Sequence, residues 1–155
     1  MKAEAFLLQI KKYDRIIKNA LQDIVHYKSM AEYAGISYAG MGVQVSKGGD
    51  RVGDAVASYA DMEKELEQVI ADSHRARYNI ITTIEKLPYD EYIVLYGVYV
   101  QGKTLYDISD DEEKSRSWAA SMKGKALKDL QAILDEKEDG KRSEQMKVKR
   151  CLDES

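Results

Sequence analysis

The sequence predicts an all-α protein: a long antiparallel helical hairpin, coiled-coil-like, followed by a small C-terminal helix-turn-helix unit. Apolar and aromatic residues recur at alternating steps of three and four along two long stretches, the signature of helices with one buried seam. A glycine-rich segment separates these stretches, and the single proline of the chain closes the second. Charged residues make up 33% of the 155, whereas Phe, Trp and Pro occur once each, a balance richer in surface than a compact sandwich or barrel of this length shows.

The first seam runs through Ala3, Phe6, Ile10, Tyr13, Ile17, Ala20, Ile24, Tyr27 and Ala31. It predicts one helix of about thirty residues, roughly 45 Å long. Leu7, Ile16, Leu21 and Val25 widen the seam beyond what a two-stranded coil needs, which suits a hairpin that also meets another surface. Residues 35–53 then hold six of the ten glycines. Because glycine costs a helix about 1 kcal/mol relative to alanine, the helix is expected to stop there, in a connector that is either disordered or a docked loop. Asp54 is placed to cap a second helix, whose seam passes through Tyr59, Met62, Leu66, Val69, Ser73, Ala76, Ile80, Thr83 and Leu87. Pro88 cannot continue that helix and suits the first turn of the next.

After Pro88 the pattern breaks into short helices, Tyr89 to about Gln101, Thr104 to about Ser109 and Ser115 to about Asp135. The last twenty residues have almost no apolar periodicity and read as a mobile polar tail. The expected organisation is therefore a hairpin over 1–87 with its connector at 35–53, a helix-turn-helix domain over 88–135, and a tail over 136–155.

With 24 Lys and Arg against 27 Asp and Glu, the net charge is −3. No overall basic field draws the chain to nucleic acid or an anionic membrane, so any such binding is local. The lone Cys151 excludes a disulfide framework. No apolar run reaches the length of a membrane span, and the N-terminus lacks a signal-peptide pattern, so a cytoplasmic protein without a membrane partner is expected. His26 and His74 have no Cys or His at ligand spacing. In the run DISDDEE, Glu112 stands where a calcium loop needs glycine and Trp118 where it needs a bidentate Glu. GGDRVG lacks the lysine-serine pair of a phosphate-binding loop. No nucleophile, base and oxyanion donor can be assembled, so neither an enzyme nor a metal or cofactor site is expected.

The sharper signal is electrostatic. From Lys114 to Lys128 there are Lys114, Arg116, Lys123, Lys125 and Lys128 and no acidic residue. Charge alone fits a solvated helix surface equally well. Ser115 as an N-cap, Trp118 and Met122 facing inward, and Leu127, Leu130 and Leu134 continuing the apolar side make it a basic helix held by its other face. Such a helix can lie in a major groove.

At these residues the chain resembles a known family. TLYDI followed by SRSWAASMKGKALKDL looks like the C-terminal helix-turn-helix of bacterial sigma factors, which reads the upstream promoter element. Ser115, Arg116, Met122, Lys125, Ala126, Leu127 and Leu130 match that pattern. The N-terminal helix, DRVGDAV, the helix ending in IEKLP and LYGVYVQGKTLYDI extend the similarity, over about residues 1–135, to small phage and prophage proteins, including late-gene transcriptional activators of the ArpU and RinA type. The resemblance implies a phage-type transcriptional regulator acting in a bacterial host cell. Its partner would be double-stranded promoter DNA, with the hairpin forming a homodimer or contacting RNA polymerase. It also implies that Thr104 and Leu105 open the supporting helix and that Ser115 caps the recognition helix. Arg116, Ser117, Ala120 and Ser121 would then face bases and nearby phosphates, with Lys103, Lys123, Lys125 and Lys128 as less specific phosphate contacts.

The chain departs from that pattern in its turn, SDDEEK, where Glu112 and Lys114 stand at apolar positions. Counting Asp107, five acids would lie near the phosphate backbone. Ala120 also replaces a long base-reading side chain, so bidentate guanine recognition is not available there. Either Arg116 and Trp118 carry a different specificity, or the unit has drifted toward a helical protein-interaction module that does not bind DNA.

Overall fold

The computed structural model describes residues 1–40 and 51–154. The described chain is all-α: α1 (Ala3–Gly40), α2 (Arg51–Ile84), α3 (Tyr89–Leu95) continued by a π-helical turn (Tyr96–Val100), α4 (Leu105–Asp111) and α5 (Arg116–Asp153). No described helix is long and apolar enough to cross a membrane.

Several helix ends differ from the sequence expectation. α1 continues past Ala31 through Gly35 to Gly40, because one glycine costs about 1 kcal/mol while extending an established helix needs no new nucleus. α2 begins at Arg51, which puts Asp54 inside its first turn instead of at its cap. Of the expected connector 35–53, residues 41–50 lie outside the described residues. α5 runs to Asp153, not Asp135, so helix replaces the expected irregular tail. That segment is rich in Lys, Glu, Arg, Gln and Met, all good helix formers, and contains no proline.

Two compact units form, one of residues 12–77 and one of residues 1–11 with 78–155. The expected boundary at Pro88 is therefore displaced into the helices themselves. In the first unit, α1 buries Ile17, Ala20 and Ile24 and α2 buries Ser73. Asp14 pairs with Arg77 at 2.7 Å and Lys28 with Glu63 at 3.1 Å, and the Tyr27 and Tyr59 rings stack at 6.0 Å. Positions rise along α1 as they fall along α2, so the two segments pair antiparallel.

In the second unit, the core gathers Leu7 and Ile10 of α1, Ile80 and Ile84 of α2, Val94 and Leu95 of α3, Ile108 of α4, and Ala119, Ala126, Leu130 and Leu134 of α5. α5 packs against both α3 and α4. The Gln131 side chain accepts from the Ala3 N–H at 2.8 Å and donates to the Met1 carbonyl at 3.0 Å, which satisfies a helix-start N–H that has no partner within α1. Lys137 Nζ donates to Thr83 Oγ1 at 3.1 Å, and the N-terminal ammonium pairs with Glu138 at 2.9 Å. These contacts hold the early turns of the segment expected to be a tail.

The turn after α3 is widened by one residue. The Gln101 N–H bonds the Tyr96 carbonyl and the Lys103 N–H bonds the Gly97 carbonyl. A Cβ on Gly97 would stand 2.7 Å from Ile108 Cδ1 and 2.9 Å from its Cγ1, so any larger residue here would have to displace the buried Ile108 side chain of α4.

Candidate nucleic-acid interface

Both ends of the short α4 are fixed by local hydrogen bonds. Thr104 Oγ1 accepts from the Asp107 N–H at 3.2 Å, while Asp107 Oδ2 accepts from the Thr104 N–H at 3.3 Å, a reciprocal capping box. At the other end, the Lys114 N–H bonds the Ser109 carbonyl at 2.8 Å and the Glu113 N–H bonds the Asp110 carbonyl at 3.1 Å. Glu113 sits at φ 54°, so this is a Schellman turn with glutamate in the left-handed position usually taken by glycine. Ser115 then caps α5, its Oγ accepting from the Trp118 N–H at 3.1 Å. Four residues join two packed helices, as a helix-turn-helix requires. The acidic turn closes through backbone bonds, which is why Glu112 and Lys114 are tolerated where apolar residues were expected.

α5 presents two faces. Ala119, Ala126, Leu130 and Leu134 are buried, with Trp118, Met122 and Leu127 half-buried beside them. Opposite them, Ser117, Ala120, Ser121, Gly124 and Lys128 are exposed at helical spacing along one stripe. The exposed site candidates Thr104, Ser115, Arg116, Ser117, Ala120, Ser121, Lys125 and Lys128 thus lie on α5 or on the two caps. Lys103 and Lys123 are half-buried.

The cations are mostly engaged with neighbouring side chains. The Arg116 guanidinium lies 4.0 Å from the centroid of the Tyr106 ring, a stack that fixes it between α4 and the start of α5. Lys123 Nζ stands 5.9 Å from the Tyr99 ring. Lys103 pairs with Asp111 at 2.8 Å. The hydrogen bond and charge of Asp111 hold the Lys103 ammonium above its ordinary pKa. Of the five acids expected near phosphates, Asp107 is committed to the capping box and Asp111 to Lys103.

Sequence reasoning missed Glu91. Its side chain on α3 is only 2% exposed and lies 3.7 Å from Lys125 Nζ of α5. Neither carboxyl oxygen has a hydrogen-bond partner among the described residues. Burial raises the Glu91 pKa, the nearby Asp129 adds to the rise, and Lys125 opposes it. The signal was present, because Glu91 falls at helical spacing among Leu87, Val94 and Leu95. Lys125 is therefore an internal counter-ion as well as a surface cation. His26 and His74 are exposed, and no metal-holding group of His, Cys, Asp or Glu side chains forms among the described residues.

No protein-family model, curated protein or solved structure matches the chain.

Proposed function

We propose that the protein is a phage-type transcriptional regulator whose α4–α5 unit binds duplex DNA, with α5 lying in the major groove. The observation that carries this reading is the exposed stripe Ser117, Ala120, Ser121 and Gly124, directly behind a capped helix start. Small uncharged side chains let base edges and sugar-phosphate approach the helix closely, and the cations at its margins then meet phosphates. Arg116 is the base reader. Its stack on Tyr106 orders a planar donor pair suited to the O6 and N7 acceptors of guanine. The absence of a long side chain at Ala120 moves recognition toward the N-terminus of α5. Lys114 and Lys128, both exposed, contact phosphates.

The test is retention of a fluorescent DNA duplex by full-length variants. Ala120→Glu/Ser121→Glu places two carboxylates on the stripe at solvent-exposed helix positions. Loss of DNA retention with an unchanged melting temperature is expected. If the variant melts like the parent and retains DNA equally, α5 is not the interface. Lys128→Ala probes the phosphate contacts more cleanly than Lys125→Ala, which would also strip the counter-ion from buried Glu91.

A further inference from the structure

The unit of residues 12–77 leaves apolar surface uncovered on one side. Leu21 is 52% and Val25 65% exposed. Together with Ile17 they line a shallow groove bordered by Asp14, Lys18 and Gln22. This is the outer part of the stripe that exceeds what pairing with α2 needs. Charges frame it in a regular way. Asp14, Leu21 and Lys28 are spaced by seven residues on α1, and Glu63, Ile70 and Arg77 by seven on α2. Seven residues are close to two turns, so each set shares a face. The sets are joined at both ends, by Asp14–Arg77 at 2.7 Å and Lys28–Glu63 at 3.1 Å. Leu21 and Ile70 lie midway between these pairs, which are about 21 Å apart along the helices.

We propose that this face is the contact surface for a second copy of the chain, docked about a two-fold axis that crosses the helices at the level of Leu21 and Ile70. In that arrangement α1 lies antiparallel on α1 of the second copy and Leu21 packs on its own equivalent. Asp14 falls opposite Lys28 of the second copy, and Arg77 opposite its Glu63. Each end becomes an alternating set of four charges around an apolar centre. A partner of uniform charge would meet one like charge at each end, whereas the two-fold copy supplies the opposite sign at all four positions. The face is thus complementary to itself.

Sedimentation equilibrium of the full chain tests this. The parent is expected to sediment at twice its 17.6 kDa chain mass. Leu21→Glu/Val25→Glu should raise the dissociation constant by about 100-fold or more with an unchanged helical circular dichroism spectrum. Asp14→Lys/Arg77→Glu exchanges the signs of one pair but keeps that pair intact within the chain, while setting like charges against Lys28 and Glu63 of the second copy. It should weaken the dimer by about tenfold or more, and adding Lys28→Glu/Glu63→Lys should restore it. If the apolar variant fails to fold, the charge exchange and its restoration decide alone. A parent that stays monomeric up to about 100 μM leaves the face to some other protein and overturns the proposal. So does a dimer that the folded apolar variant leaves intact, or one that the charge exchange does not weaken.

Discussion

Two glutamates depart from local rules and so give the sharpest tests at the scale of single residues. Glu113 holds φ 54° in the turn before α5, a conformation costing a non-glycine residue about 1–2 kcal/mol. Glu113→Gly is therefore expected to stabilise the protein by about 1 kcal/mol, read as a higher melting temperature with unchanged helix content. Glu91 is buried with its pKa raised, so the folded state holds its proton more tightly than the unfolded chain. Its contribution to stability is fully present below the ordinary carboxylate range and is lost as pH rises through the raised value. Glu91→Gln should accordingly stabilise the protein relative to the parent near pH 8 and lose that advantage toward pH 4, as measured by urea midpoints. An advantage that does not grow with pH would show that Glu91 titrates normally. The left-handed turn was not legible in the sequence, because it is set by where α4 and α5 must pack, whereas Glu91 stood at apolar spacing in the sequence and only its full burial depends on α5 covering α3.

At the scale of elements, the helices and caps were legible where local chemistry decides them. Thr104 and Ser115 cap α4 and α5 because a hydroxyl three residues before an orphan N–H has the same geometry in any fold. The exposed stripe of α5 follows from the apolar spacing of Ala119, Ala126, Leu130 and Leu134. The ends of α1 and α5 were not legible, because glycine and high polarity weaken a helix without forbidding it. The π turn was also hidden, because no local residue pattern marks it, and it brings Gly97 against the Ile108 side chain of α4. Gly97→Ala is expected to destabilise the α4–α5 unit by about 1–3 kcal/mol, seen as a lower unfolding midpoint.

At the scale of the whole molecule, a net charge of −3 means that the proposed DNA binding would rest on a local set of cations working against the overall field. Affinity should fall steeply with salt, with a log-log slope near −0.9 for each phosphate contacted. Neutralising Asp110 and Glu113 to Asn and Gln should strengthen binding, because both are exposed and neither belongs to the capping box. The sequence resemblance is carried by the residues of α4 and α5 and not by the turn between them, where the chain departs from the pattern, and the proposed DNA binding draws its support from the one exposed face of α5. The most direct measurement of that central claim is selection of bound fragments from a random duplex DNA pool by the purified full chain, at about physiological salt and again at low salt. Enrichment of one sequence motif that the Arg116→Ala variant fails to enrich is the predicted result. No enrichment at either salt would contradict it and leave the protein-interaction module as the reading to test next.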